Sequence, residues 1–324
     1  MVNIYLSGRF SLTAKKEAAW LKRTGCKYRC FSFAVVDPEG INYSEEVSKA
    51  LTVCEKRKVS IMMDSGAFSL HMLTNASKKR GASAKAKQSF NVEELQKDMY
   101  KRYVKYCLAN KEKWEFYVTL DFKRSQPVIY KMQQQFLRDR LAPMPVFHGD
   151  SPLDWLHKHM DMGHKYIAIG GGSLHKGSLH YYLDKVFDFG AKHNLEFHGL
   201  ALTSMKLITQ FPWRSVDSST WSRCAAFGHI IIPDFKHLCF YNVHVSERES
   251  KGSKAGYNQM SAINKDKLRA MLKDHGFDVD AMRDGVKGEE ERHDWNGYMY
   301  SNLDKFGMDW EWMASRKVEW ESLI

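Results

Sequence analysis

Ile61-Met62-Met63-Asp64-Ser65-Gly66-Ala67-Phe68 is a short apolar run that ends on a carboxylate and then on small residues. An unbroken apolar run of this length suits a strand buried on both faces, as in parallel sheets. A carboxylate at the tip of such a strand is costly unless it has a partner or a task. The arrangement recurs at Trp213-Arg214-Ser215-Val216-Asp217-Ser218-Ser219. Two matching tips far apart in sequence point to one site, built by a fold that gathers strand ends.

Outward from these two, β-like runs recur at Val2–Leu6, Cys30–Val36, Val59–Met63, Phe116–Leu120, Met144–Phe147, Tyr166–Ile169, Phe197–Leu202 and Trp213–Val216. Helical patterns fill the gaps at Leu12–Arg23, Ser44–Arg57, Pro127–Arg140, Leu179–His193 and Ser204–Phe211. Asn91-Val92-Glu93-Glu94 has the form of a capping box, and Ser151-Pro152 supplies a cap and a first-turn proline for a helix that Gly163 stops. Strands alternating with helices imply a parallel sheet, and eight units in about 250 residues match a (β/α)8 TIM barrel. A doubly wound sheet is the alternative, but no Gly-x-Gly-x-x-Gly follows the first strand. Residues 1–245 are read as the barrel. Residues 246–324 are read as a linker and a helical, Trp-rich C-terminal extension carrying Trp295, Trp310, Trp312 and Trp320.

The 324 residues are 44% hydrophobic and 27% charged, ordinary for a soluble globular chain. No apolar stretch approaches a membrane span and no signal-peptide pattern opens the chain, so a cytoplasmic protein without membrane contact is expected. The six cysteines, scattered through a chain without secretory features, are expected as free thiols. A net charge of +11 favours a polyanionic partner, because Lys and Arg neutralise phosphates. The basic stretch Ala76–Gln88 would hang over the mouth of a barrel, with Lys78, Lys79, Arg80, Lys85 and Lys87 as nucleic-acid contacts. A solvated loop is the plainer reading of such a charge run.

Barrel chemistry belongs at the strand tips, which offer Asp64, Ser65 and Phe68, then Asp121, His148, Gly170 and Gly171, and finally Asp217. Such a set suits glycosyl transfer: one carboxylate attacks an anomeric carbon while another group protonates the leaving atom. Each residue also has a plain structural reading. Asp64-Ser65-Gly66 favours a turn, Gly170 to Gly172 a tight loop, Asp217 a helix cap, and His148 a buried structural role.

Taken in order, these residues resemble a known family. Asp64–Ser69 is similar to the Asp-Ser-Gly-Gly-Phe-Gln signature of the tRNA-guanine transglycosylases, and Tyr166–Gly171 to their Tyr-x-Ile-Gly-Gly strand. The nearer resemblance is to the phage-type 7-deazaguanine DNA transglycosylases (DpdA), through Asp64–Ser69, Pro145–His148, His198–Ser204 and Ser215–Ser218. That resemblance implies exchange of guanine in DNA for a free 7-deazaguanine base such as preQ0, in host cytoplasm if the gene is a phage's. It implies Asp217 as nucleophile and Asp64 as general acid and base. Asp121, Gly170 and Gly171 would read the base edge, Phe68 would stack on its face and Ser65 would assist. His148 stands where the tRNA enzymes carry glutamine.

One departure matters. The tRNA enzymes hold a structural zinc through Cys-x-Cys-x-x-Cys and a later His, whereas Cys224, His237, Cys239 and His244 lack that spacing. They remain weak candidates, so no cofactor is expected and DNA is favoured over tRNA. The rival functions are base exchange on tRNA and a basic barrel that binds nucleic acid without catalysis. A metal-dependent hydrolase fares poorly, because no His-x-His follows the first strand.

Overall fold

The structure is a computed structural model that describes residues 2–11, 13–40, 42–67, 92–122, 125–149, 151–170, 176–247, 256–284 and 287–306. Phe68, Lys78, Lys79, Arg80, Lys85, Lys87, Gly171 and the three tryptophans beyond 306 lie outside these residues.

Among them, eight parallel strands form one sheet: β1 (Asn3–Leu6), β2 (Tyr28–Ser32), β3 (Ser60–Asp64), β4 (Phe116–Tyr117), β5 (Val146–His148), β6 (Tyr166–Gly170), β7 (Glu196–Leu200) and β8 (Ser215–Ser218). Their spatial order is β4-β3-β2-β1-β8-β7-β6-β5. The two ends meet at a parallel bridge between Val118 and Met144, where Met144 N–H donates to the Tyr117 carbonyl at 2.8 Å. This is the expected (β/α)8, TIM-barrel-like architecture.

Alternation along each strand explains the apolar runs. Ile4, Leu6, Phe31, Ile61, Met63, Phe147, Ile167, Ile169 and Phe197 face outward into the core beneath the helices. Tyr5, Cys30, Met62, Val118, Val146 and Ala168 form a second buried cluster inside the barrel. Both faces are therefore apolar, and a strand reads as a continuous run rather than a two-residue alternation. The helices are α1 (Ala14–Thr24), α2 (Phe33–Val36), α3 (Glu45–Lys56), α4 (Val92–Asn110), α5 (Gln126–Arg138), α6 (Asp154–Asp161), α7 (Lys176–His193), α8 (Met205–Gln210) and α9 (Thr220–Ala226). Three of the starts carry side-chain caps: Thr13 accepts from Lys16 N, Ser44 from Val47 N and Ser204 from Leu207 N.

Two expectations are corrected, and one element is new. The run Cys30–Val36 is not one strand: the strand starts at Tyr28, and Phe33–Val36 is a single helical turn. Phe33 and Val36 lie three residues apart and both are buried, so one helical face serves the core as well as a strand would. Ser151 does not cap α6, whose first residue is Asp154; Ser151 N–H instead donates to the His148 carbonyl at 3.0 Å. An antiparallel hairpin of β9 (His229–Asp234) and β10 (Cys239–His244) lies beyond the barrel strands and was not foreseen.

The rest of the described chain is helical: α10 (Ala262–Asp274), α11 (Val279–Arg283) and α12 (Gly288–Ser301). Helix α12 packs on α1, α9 and β9. It is buried nearly all round, and its polar groups are spent on backbone. Arg292 Nε donates to the Ala225 carbonyl, Trp295 Nε1 to that of Ile231, and Asn296 Nδ2 to that of Trp221. Its acidic edge pairs with α1, Lys16 with Glu290 and Arg23 with Glu291 and Asp294.

Candidate active site

Side-chain alternation fixes what enters the barrel mouth. Cys30, Met62, Val146 and Ala168 face the interior, so two residues later Ser32, Asp64, His148 and Gly170 do the same at the C-terminal tips. On β8, Ser215 and Asp217 share that face.

The two aspartates meet. The ladder pairs Asp217 with Tyr5, and continues through Tyr28 to Ser60 on β3, four residues below Asp64. Three strand steps separate β8 from β3. A closed barrel with shear eight staggers neighbouring strands by about one residue each, so the two side chains differ in height by about one residue, roughly 3 Å. Electrostatics agree with the geometry. Burial, then the nearby Asp217 charge, pushes Asp64 up to about 6, against partial relief from the Gly66 N–H hydrogen bond. The Cys30 thiol beneath feels both carboxylates, and burial holds it well above the usual thiol range.

Asp64 also makes the turn that its sequence favours. Its Oδ2 accepts from Gly66 N–H at 2.9 Å, and Gly66 has φ +75°. A Cβ on Gly66 would stand 2.5 Å from the Ala34 Cβ, so both conformation and space require glycine. Ser65 is buried beside it.

His148 and Asp121 form a pair, Nε2 to Oδ2 at 2.5 Å, with the imidazole lying against Gly170. A Cβ at Gly170 would be 2.7 Å from His148 Nδ1, so this glycine makes room for the ring. Asp121 therefore reaches any ligand with one oxygen already engaged by His148.

Asp217 is held by partners to which sequence reasoning gave no role. Its Oδ1 accepts from Ala201 N–H at 2.9 Å and lies 3.3 Å from His198 Nε2. Ala201 adopts φ +54°, an uncommon conformation for alanine, and thereby turns its N–H toward the carboxylate. His198 is fully buried, and its Nδ1 is 2.5 Å from Ser215 Oγ, which in turn is 2.5 Å from the Tyr166 hydroxyl. The Tyr166 phenol is raised by burial and stays a hydroxyl. Asp, His and Ser here are not arranged as in a serine hydrolase. Ser215 is 1% exposed and closed off by Tyr166, while the carboxylate faces the cleft. His198 had two sequence signals: it opens the His198–Ser204 motif and sits two residues before the tip of an apolar strand. The partners that give it meaning lie 17 and 19 residues away.

The weak zinc candidates do not come together. Cys239 and His244 occupy opposite ends of β10, His237 is bonded to Asp234, and Cys224 Sγ faces Asn242. Among the described residues no cluster of three or more His, Cys, Asp or Glu is placed to hold a metal ion. No described helix is long and apolar enough to cross a membrane.

No protein-family model matches the chain, and no curated protein is similar to it. Among solved structures, the Amycolatopsis orientalis BexX/CysO complex is similar over 69% of this chain and 82% of that one, with 7% identity and a TM-score of 0.43. An Aquifex aeolicus VF5 protein is similar over 68% and 84%, with 14% identity and a TM-score of 0.42. KGPDC from Streptococcus mutans is similar over 67% and 87%, with 9% identity and a TM-score of 0.33. At such distances these likenesses say nothing about chemistry.

Proposed function

We propose that this chain is a DNA guanine transglycosylase, which exchanges guanine in DNA for a free 7-deazaguanine base such as preQ0. One observation carries the reading: two carboxylates share the barrel mouth, Asp64 pushed up to about 6 and Asp217 held, among the described residues, through Oδ1 alone. That division suits double displacement. Asp217 forms a bond to C1′ as the C1′–N9 bond breaks, and the electron pair leaves with the base. Protonated Asp64 gives its proton to the departing guanine. In the second half the incoming base gives a proton to Asp64 while its ring nitrogen attacks C1′, and Asp217 departs as carboxylate. No net proton or redox equivalent is consumed, so the reaction requires no cofactor.

The His148–Asp121 pair beside Gly170 suits recognition of a flat base edge. A target base must leave its stack to reach them. The charge of +11 supports a nucleic-acid partner.

The test is direct. Purified protein is incubated with labelled guanine and either duplex DNA or tRNA. Label entering DNA, and lost with Asp217→Asn, is the expected result. Label entering only tRNA replaces the substrate. Binding without exchange in either polymer leaves a non-catalytic barrel.

A further inference from the structure

Asp217 is tethered by one oxygen only. Both of its recorded donors reach Oδ1, and no hydrogen bond reaches Oδ2 from a described residue. Behind Oδ1, His198, Ser215 and Tyr166 continue in line through the barrel interior. The rings of Tyr5 and Phe116 flank His198 with centroids 6.2 and 5.4 Å away. Asp64 and the Cys30 thiol face Asp217 from β3 and β2, but neither bonds the imidazole.

For a neutral imidazole, proton counting fixes the direction of this line. Tyr166 and Ser215 each have one hydroxyl proton, and a neutral imidazole has one N–H. If Tyr166 donates to Ser215 and Ser215 donates to His198 Nδ1, the imidazole proton sits on Nε2 and is donated to Asp217. Every group is then satisfied. In the opposite order Nδ1–H donates to Ser215, and the bare Nε2 lone pair faces a carboxylate oxygen at 3.3 Å. Two acceptors in contact within a buried site repel each other without compensation.

We infer that His198 is a positioning residue: locked as the Nε2–H tautomer by Ser215 and Tyr166, it fixes Asp217 Oδ1 and leaves Oδ2 as the attacking oxygen. The use of Oδ2 rests on the glycosyl-transfer reading above; the tautomer and the tether do not. Ala201 N–H is the second anchor, so rotation of the carboxylate breaks two hydrogen bonds at once.

Two measurements test this. Imidazole ¹⁵N NMR of the full chain, with His198→Gln identifying the resonances, reads the tautomer. A protonated Nε2 with a bare Nδ1 is expected, and the reverse, or protons on both nitrogens, overturns the inference. The second measurement is base exchange in a pair of variants. Glutamine at 198 puts its amide N–H where Nε2 lies, whereas asparagine puts it near Nδ1. His198→Asn is expected to lower kcat about 100-fold with KM for DNA unchanged within about twofold, and His198→Gln to recover most of the loss. An asparagine variant as active as wild type, or a loss carried by KM, overturns it. If that variant does not fold, Tyr166→Phe removes only the terminal donor. Mixed tautomers and a several-fold lower kcat then support the relay, and an unchanged spectrum and kcat refute it. A wild-type protein that exchanges no base overturns the glycosyl-transfer reading, while the NMR result still decides the tether.

Discussion

Asp64→Asn should make the protein more stable, and only above mild acidity. The wild-type carboxyl is raised from 3.8 to about 6 by burial and by Asp217. Its folded value lies above its unfolded one, so its contribution favours the folded state below about 4 and is lost as pH rises through about 6. Two units at 1.36 kcal/mol each give about 3 kcal/mol, which solvent at the cleft reduces to about 1–2 kcal/mol. Asparagine keeps an oxygen for Gly66 N–H and has nothing to ionise. Urea unfolding of both proteins from pH 4 to pH 8 measures the difference, and all other titrating groups are common to the pair and cancel. The expected gain is near zero at pH 4, rises between pH 4 and 6, and stays level to pH 8. Adding Asp217→Asn should shrink the gain, because the neighbouring charge is gone. A gain independent of pH, or a loss at pH 8, would refute the raised carboxyl, and a gain left unchanged by Asp217→Asn would refute the shared cleft.

The same carboxyl should govern the first half-reaction. Formation of the covalent intermediate, followed by rapid quench, should slow as pH rises through about 6, since only protonated Asp64 can donate; a rate flat from pH 5 to 8 excludes Asp64 as the acid. His159 and His164 are buried and pushed down to about 4. Their folded values lie below the unfolded one, so stability complete above pH 6.5 should fall toward pH 4, by up to about 3 kcal/mol each. Urea titrations of His164→Gln should show a shallower acid loss, and an unchanged slope counts against this cause. Gly170→Ala drives a methyl into the His148 ring and should cost about 1–3 kcal/mol. Calorimetry should also find weaker binding of free base, and wild-type affinity would mean that His148 does not contact it. Ala201→Gly should be neutral or stabilise by up to about 1 kcal/mol with exchange retained, because glycine accepts the left-handed backbone; a clear loss in thermal unfolding contradicts this.

The strand–helix rhythm was legible because barrel strands are apolar on both faces and their breaks carry caps and glycines. Asp64 and Asp217 were legible for the same reason, as polar residues ending apolar runs. The helical turn at Phe33–Val36 was not, because four apolar residues satisfy either period. Helix α12 hides its role in another way. Buried nearly all round, it mixes Arg292, His293, Trp295 and Asn296 without an apolar stripe, and its logic lies in backbone partners on distant elements. His198 and Ala201 lie in the quoted His198–Ser204 motif, but their roles were not legible because those depend on the β7–β8 register and on a backbone dihedral. Neither is a property of local composition.

The claim most exposed to test is that Asp217 becomes covalently bound to a DNA sugar. Peptide mass spectrometry of the wild-type protein, acid-quenched during incubation with DNA and no added free base, should find a deoxyribose adduct on the peptide containing Asp217 and on no other. An adduct on a different residue, or base exchange by Asp217→Asn at the wild-type rate, would contradict the account.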